Sequence, residues 1–245
     1  MKVVSLVPSI TEALFDLGLT KNEVIGRTKF CIHPSEKVKN VPIIGGTKNI
    51  NIEKIKALQP DLILANKEEN VKEQVEALMT DFKVVVTNVE NVEDNYYLLK
   101  TLGKLFNKEE KAQCFNLKIY DVLNEAKINS SIKVAYLIWK NPYMTIGSDT
   151  FIDKILREIG FENIFKDRKR YPVIETEDLA DAEIIMLSSE PFPFKEKHIE
   201  ELKMVYPDKK IMIVDGEAFS WYGTHIAKCG SYFKELIAEV EALKM

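Results

Sequence analysis

One long amphipathic stretch, residues 107–127, separates two halves of the chain that repeat the same order of segments. Apolar residues recur in it at steps of three and four from Ala112 to Ala126, as on the buried face of a helix. Asn107 is a favoured N-cap residue, and Glu110 stands at the capping-box position. A helix of about twenty residues spans roughly 30 Å, the width of a small domain. The stretch is therefore predicted to connect two lobes, although an ordinary amphipathic helix inside one domain has the same pattern.

The repeated halves each alternate apolar strands with helices. The matching pairs are VVSLVPSITEALFDLG with KVAYLIWKNPYMTIGSDTFIDKILREIG, NIEKIKALQPDLILANK with ETEDLADAEIIMLSSE, and FKVVVTN with KKIMIVDG. Alternating strands and helices predict mostly parallel sheets, and the matched order predicts two related lobes. We expect an α/β protein with two Rossmann-like lobes, residues 1–106 and 128–245, joined by the single long helix of residues 107–127.

Composition excludes several classes of protein. The 245 residues are 46% hydrophobic and 29% charged, which is typical of a globular chain, and the apolar runs are far too short to span a bilayer. The 34 basic residues stand against 38 acidic ones, so the net charge of −4 gives no electrostatic case for binding nucleic acid. No basic and apolar leader precedes the first strand, which predicts either a cytoplasmic chain or one from which a leader has been removed.

The loops that follow the predicted strands contain the candidate binding residues, because ligands of α/β proteins bind beyond the carboxyl ends of strands. Ser9 follows the first strand, where it either faces a ligand or caps the next helix together with Glu12. The loop of residues 28–51 has no periodicity, and loops of that length in compact domains are commonly functional. Trp221 and Tyr222 are adjacent between a strand and a helix, and they form a candidate stacking surface for a flat ligand.

The sequence contains no Walker loop, Gly-x-Ser-x-Gly elbow, Cys-x-x-Cys or His-Glu-x-x-His motif. Its three histidines, His33, His198 and His225, are far apart along the chain. His33 and His225 both fall in predicted exit loops, so a metal site with a carboxylate such as Glu217 is an alternative. The leading prediction is a chain that is not an enzyme, with no catalytic and no metal-ligating residues.

An ordered set of segments resembles the substrate-binding proteins of ABC importers for cobalamin, haem and ferric siderophores. The segments are VVSLVPSITEALFDLG, VIGRT, GGTKN, IEKIKALQPDLILANKEEN, one long helix, IGSDTFIDKILREIGFENIF and DGEAFSWYG, and together they cover nearly the whole chain. The resemblance implies two α/β lobes, a rigid connecting helix and a ligand cleft between the lobes. The implied function is capture of a cobalamin-like corrinoid or a ferric chelate, either a siderophore or haem, for delivery to a permease.

By position, the resemblance implies ligand contacts in both lobes. Those of the first lobe are Ser9, Phe30, His33, Thr47, Lys48, Asn49 and Asn66, and those of the second are Trp139, Tyr143, Arg170, Tyr171, Phe192, Trp221, Tyr222 and His225. Cobalamin binders that resemble this chain can carry an aromatic residue at the position of Asn66. The carboxylates implied to pair with permease arginines are Glu69 or Glu73 in the first lobe and Glu190 or Glu196 in the second.

The implied partners are a small metal chelate or corrinoid, an ABC permease and its ATPase, and the chain itself is expected to be a monomer. No cofactor is expected, although the carried ligand would contain cobalt or iron. The resemblance implies a periplasmic or cell-surface location. Two alternatives stay open, a metal-dependent enzyme with a two-lobe Rossmann-like site and a cytoplasmic carrier of corrinoids or metals.

Overall fold

The computed structural model describes residues 1–128 and 131–242, and its chain packs into two units. The first unit contains residues 1–89, 93–119 and 221–228, and the second contains residues 90–92, 120–128, 131–220 and 229–242. Among the described residues, no helix is long and apolar enough to cross a membrane.

The sheet of the first unit is entirely parallel, as its short apolar runs predict. Its strands are β1 (Val3–Ser5), β2 (Val24–Arg27), β3 (Leu62–Asn66) and β4 (Val84–Thr87), in the order β2-β1-β3-β4. Every residue of β1 and β3 is buried, because these two strands lie in the middle of the sheet. The helices of this unit are α1 (Pro8–Asp16), α2 (Ser35–Val38), α3 (Ile52–Leu58), α4 (Lys72–Met79) and, from Glu93 onward, α5 (Val92–Phe106).

Helix α1 begins differently from the sequence prediction. Its N-cap is Val7, which makes no side-chain cap bond, and Pro8 occupies the first turn, where its missing N–H costs nothing. Ser9 therefore lies inside the helix and does not cap it. Glu12 does not complete a capping box, so its carboxylate is available for contacts elsewhere.

Helix α6 (Glu109–Glu125) corresponds to the predicted connecting helix, but it begins later. Asn107 has a φ of 54°, in the left-handed region that Asn tolerates, and it ends α5 instead of capping α6. Lys108 donates its N–H to the Gly103 carbonyl at 2.7 Å and accepts from the Ala112 N–H at 3.0 Å. The chain passes between the units inside α6, after Ile119, and again at both ends of residues 221–228. A single connecting helix is therefore not confirmed.

The second unit is built on a mixed sheet of six strands. The strands are β5 (Ile132–Trp139), β6 (Tyr143–Thr145), β7 (Phe161–Asn163), β8 (Val173–Ile174), β9 (Ile184–Ser188) and β10 (Lys210–Val214). The order is β10-β9-β5-β6-β8, with β7 paired to β5. The pairs β5–β6 and β6–β8 are antiparallel, and the other pairs are parallel. The helices of this unit are α7 (Phe151–Glu158), α8 (Glu196–Lys203), α9 (Gly216–Ser220) and α10 (Gly230–Ala242), and a 3₁₀ turn lies at Thr176–Leu179. A second 3₁₀ turn, His225–Lys228, belongs to the first unit.

An apolar core beside this sheet supports the loops that leave its strands. It contains Ala135 and Leu137 of β5, Ile185 and Leu187 of β9, and Leu202 of α8. Phe192 packs against this core from the loop after β9. The alternate side chains of β5 and β9 thus anchor these strands to the core on one face of the sheet.

Candidate functional site

Aromatic and imidazole side chains meet on the first unit, where residues 221–228 lie against α1. The Trp221 ring centroid is 5.2 Å from that of His33 and 5.4 Å from that of His225, and the two imidazoles are 6.0 Å apart. Trp221 is only 8% exposed, so the indole is held in a defined position. We call His33, Trp221 and His225 the first-unit aromatic surface. It brings together three of the predicted ligand contacts.

The sequence assigned Trp221, Tyr222 and His225 to the second lobe, but the structure groups them with the first unit. Thr224 of the same segment donates its hydroxyl to Asp16 Oδ2 of α1 at 2.6 Å. Local sequence pattern could not show this placement, because the bonded residues are 208 positions apart.

Glu12 is a buried carboxylate beside this aromatic surface, with 3% of its surface exposed. Its Oε2 atom lies 2.8 Å from His225 Nδ1, and its Oε1 atom lies 2.8 Å from Lys228 Nζ. Burial alone would raise the pKa of Glu12, but the hydrogen bonds and charges of His225 and Lys228 outweigh it and lower that pKa. Burial acts to lower the pKa of Lys228, yet its bonds to Asp16 and Glu12 raise it. Both groups are therefore charged at neutral pH.

Ser9, Asn66 and Tyr222 form a second group of predicted contacts in the first unit. Burial raises the pKa of Tyr222 well above its ordinary value, although the neighbouring Ser9 and Asn66 side chains act in the opposite direction. Asn66 Oδ1 accepts from the backbone N–H groups of Glu68 and Glu69, at 2.8 and 3.2 Å, and so shapes the turn after β3. The Asn66 amide thus has a structural role in this turn.

The loop of residues 45–50 is positioned by two amides that the sequence reasoning missed. Asn70 donates its Nδ2 group to the carbonyls of Leu6 and Thr47, at 3.1 Å each, which joins the end of β1 to this loop. Gln74 donates to the Lys48 carbonyl at 3.2 Å. Lys48 Nζ donates to the Glu68 carbonyl, and the exposed Asn49 accepts from Gly46 N–H at 2.9 Å. Polar residues shortly after a buried strand were the only sequence signal for Asn70.

Phe30 is the most accessible aromatic residue among the predicted contacts, with half of its surface exposed. Lys29 Nζ lies 4.9 Å from its ring centroid, within the range of a cation–π contact. The next residue, Cys31, is buried against the Thr11 and Thr28 hydroxyls, and burial raises the pKa of its thiol. Cys31 therefore anchors the loop that presents Phe30.

The second unit has its own aromatic cluster at the ends of β5 and β9. Trp139 is 41% exposed, and its ring centroid is 5.7 Å from that of Phe192. Phe192 packs edge-on against Phe194 at 4.8 Å and lies 5.4 Å from His198. The exposed indole is thus backed by a fixed apolar layer, which favours stacking against a flat molecule.

Tyr143 is half-buried at the start of β6, and burial raises the pKa of its hydroxyl. Arg170 and Tyr171 lie elsewhere on this unit, with the Arg170 guanidinium carbon 5.5 Å from the Tyr171 ring centroid. Arg170 has a φ of 59°, and its N–H donates to Asp149 Oδ1 at 2.6 Å. A Cβ on Gly147 would lie 2.5 Å from the Arg168 carbonyl oxygen, so only glycine allows this close approach of the two loops.

The four candidate docking carboxylates differ in exposure. Glu73 and Glu196 are exposed in the first turns of α4 and α8, the helices that follow β3 and β9. Glu69 is half-buried, and Glu190 is half-buried with its Oε1 atom accepting from the Ser220 hydroxyl at 2.7 Å.

Among residues 1–128 and 131–242, no group of three His, Cys, Asp or Glu side chains is arranged to hold a metal ion. His33 and His225 do approach each other, as the alternative metal site required, but Glu217 falls in the second unit.

The sequence model of one protein family, described as "Periplasmic binding protein", matches residues 3–205. This chain belongs to the periplasmic binding protein family. An uncharacterized ABC transporter substrate-binding lipoprotein of Bacillus subtilis (strain 168), YvrC, is 31% identical in an alignment 180 positions long that covers 68% of this chain and 56% of that protein. A vitamin B12-binding protein of Salmonella choleraesuis (strain SC-B67) is 28% identical over 184 residues, 73% of this chain and 68% of that protein. The aligned region thus spans little more than half the length of the Bacillus relative.

Solved structures have the same fold. The periplasmic vitamin B12-binding protein BtuF of Vibrio cholerae superposes with a TM-score of 0.82 at 19% identity, covering 98% of this chain and 97% of that one. The haem-binding protein RhuT of Roseiflexus sp. RS-1 gives 0.81 at 16% identity, covering 97% and 96%. These likenesses confirm the predicted α/β fold of this family, and the neighbours are named as binding proteins. The cleft between the lobes and the individual ligand contacts stay predictions.

Proposed function

We propose that the chain is the substrate-binding component of an ABC importer and captures a corrinoid or an iron chelate such as haem. The observation that carries the proposal is the first-unit aromatic surface, where Trp221 and two imidazoles are held together against α1. Flat macrocycles such as corrin and haem offer a face to an indole and polar groups to imidazoles. Relatives named for binding vitamin B12 or haem support this ligand class.

The aromatic cluster of the second unit supports the same class of ligand. Trp139 is exposed while Phe192 and Phe194 fix its surroundings, so stacking there requires little side-chain ordering. Elsewhere on this unit, Arg170 and Tyr171 provide a cationic and a phenolic group, whose chemistry suits the carboxylate or amide groups around a macrocycle's edge.

Binding is tested by following tryptophan fluorescence during titration with cyanocobalamin, haemin, a ferric hydroxamate siderophore and zinc. The chain has two tryptophans, so Trp139→Phe leaves Trp221 as the reporter of the first unit, and Trp221→Phe leaves Trp139. Saturable quenching of Trp221 by one chelate is the expected result. Binding of zinc alone, tightly and in one-to-one ratio, would contradict the proposal and favour the metal-site alternative.

Delivery requires a partner, and we propose that it is an ABC permease recognised through Glu73 and Glu196. Both are exposed at equivalent places, the first turns of α4 and α8, whereas Glu69 and Glu190 are half-buried. Exposed carboxylates facing arginines would fix the register of docking and raise the association rate. This role implies a periplasmic or cell-surface location.

The docking residues are tested by charge reversal in a reconstituted importer. Glu73→Lys and Glu196→Lys should each abolish stimulation of ATPase activity while leaving ligand affinity within about twofold. Glu200→Lys is the matched control, because Glu200 is exposed on the same helix as Glu196 but lies in its second turn. Normal stimulation by both reversals would exclude these carboxylates.

A further inference from the structure

Residues 221–228, here called the return segment, belong to the first unit, although the residues before and after them in the sequence belong to the second. Asn95 of α5 holds the middle of this segment. The Gly223 N–H donates to Asn95 Oδ1 at 2.5 Å, and Asn95 Nδ2 donates back to the Gly223 carbonyl at 3.2 Å. Gly223 has a φ of 77°, and a Cβ there would lie 3.1 Å from the Ser9 carbonyl oxygen. The backbone of the return segment therefore runs directly against α1.

Two carboxylates of α1 hold the end of the return segment. Glu12 contacts His225 and Lys228, and Asp16 accepts from the Thr224 hydroxyl and lies 2.5 Å from Lys228 Nζ. Replacing buried ionic groups by apolar side chains of similar volume is often neutral for stability. Stability alone therefore does not require a carboxylate at position 12, and the effect of Glu12 on the neighbouring imidazole is a separate property.

The Glu12 carboxylate determines where the proton of His225 lies. An ionised carboxylate can only accept hydrogen bonds, so at 2.8 Å from Glu12 Oε2 the Nδ1 atom of His225 must be the protonated nitrogen. In the neutral ring Nε2 is then the accepting atom. His198 has the opposite arrangement, because its Nδ1 atom accepts from the Lys195 backbone N–H at 2.8 Å. The two histidines therefore provide an internal comparison.

We propose that Glu12 is a positioning residue that fixes the tautomer and orientation of His225. Together with Lys228 and Asp16, it holds the return segment so that His225 and Trp221 form a preformed ligand surface. The inference rests on the proposed function and deepens it. It specifies that affinity for the ligand depends on the His225 ring being held with its Nδ1–H group toward Glu12. A preformed surface loses less conformational entropy on binding than a mobile one.

Glu12→Gln tests the proposal with almost no change in volume. Lys228 carries only donors, so the single oxygen of the new side-chain amide will turn toward its ammonium group. The amide NH₂ group will then face His225 and donate to Nδ1. This variant is therefore expected to move the His225 proton from Nδ1 to Nε2 while the segment stays in place.

A second substitution should reverse the effect. In Glu12→Gln/Lys228→Met the ammonium group is gone, so the amide oxygen can turn back to His225 and restore the Nδ1-protonated ring. Glu12→Leu removes both polar contacts and reports the cost of losing orientation altogether. Glu53→Gln is the control, because Glu53 is exposed in α3 and the same carboxylate-to-amide change there touches nothing in this cluster.

The readout is the tautomer of each imidazole, measured by ¹⁵N–¹H correlation NMR of ligand-free protein, together with affinity for cyanocobalamin and haemin. Only three histidines need assignment. We expect Nδ1–H for His225 in the wild type, Nε2–H in Glu12→Gln, and Nδ1–H again in the double variant, with His198 unchanged as Nε2–H. Affinity should follow the tautomer, with a loss of about tenfold in Glu12→Gln, the size expected for one hydrogen bond, and recovery in the double variant.

The proposal would be overturned by an Nε2–H tautomer in the wild type, or by a tautomer exchange in Glu12→Gln that leaves affinity within twofold. Affinity losses in Glu12→Gln that the double variant does not recover would also overturn it, because they would indicate a merely structural role. A protein that shows the expected tautomer exchange but binds neither probe would overturn the proposed function while supporting the positioning of His225.

Discussion

Truncation of Asn95 should release the return segment from the first unit. Asn95 is fully buried, and Asn95→Ala removes both of its bonds to Gly223. A buried backbone group left without its partner costs about 1–3 kcal/mol, so two such groups predict a loss of about 2–6 kcal/mol in unfolding free energy. With a urea m-value of about 2 kcal/mol/M, the midpoint should fall by roughly 1–3 M.

The assay is urea unfolding of the Trp139→Phe protein, in which the fluorescence comes from Trp221 of the return segment itself. Asn116→Ala is the matched control, because Asn116 lies in the same unit and donates one bond, to the Tyr96 carbonyl at 3.1 Å. Loss of that single bond should cost only about 0.5–1.5 kcal/mol. A typical surface substitution changes the free energy of unfolding by about 0.5 kcal/mol or less. If the free energy of unfolding of Asn95→Ala differs from that of its parent by no more than about this amount, the Asn95 contacts do not hold the segment.

Three further predictions concern the site and its support. Trp221→Ala should weaken binding of the captured chelate roughly tenfold to a thousandfold with the fold intact by circular dichroism, and unchanged affinity would remove Trp221 from the site. Gly147→Ala should lower the melting temperature measurably, because its new methyl group would lie 2.5 Å from the Arg168 carbonyl oxygen; an unchanged melting temperature would contradict that constraint. Glu12 faces His225 and Lys228 of the return segment, and Asp16 lies on its own helix. The pKa of Glu12 is lowered in the folded chain. Its ionised carboxylate therefore stabilises the fold above about pH 4.3, and this contribution is lost as the pH falls through the folded pKa. Acid unfolding of Glu12→Gln should therefore show a weaker pH dependence than wild type below pH 4.3, roughly the ordinary pKa, and an identical profile would contradict this assignment.

Local sequence pattern predicted the secondary structure well where apolar runs are bounded by turns. The paired apolar segments FKVVVTN and KKIMIVDG, for example, contain the strands Val84–Thr87 and Lys210–Val214. The helix ends were less predictable, because competing signals stand side by side. Pro8 placed the start of α1 ahead of the expected Ser9 cap, and the left-handed Asn107 ended one helix where a cap for the next was expected.

The composition of the site was predictable only in part, because its bonds join residues that are far apart in the sequence. An adjacent Trp and Tyr after a strand marked the return segment as a candidate, but nothing local showed that it packs on α1. Glu12 and His225 are separated by 213 positions, and Glu12 was read as part of a helix cap. Such pairs follow from the tertiary fold, which the family resemblance implied only in outline.

Capture of a chelate is tested directly by isothermal titration calorimetry of the wild-type chain with cyanocobalamin, haemin and a ferric hydroxamate siderophore. We expect a one-to-one complex with at least one of the three and a Kd at or below about 1 μM, equivalent to about −8 kcal/mol. Absence of saturable binding of all three at ligand concentrations on the order of 100 μM would contradict the assignment as a chelate-binding component of an importer.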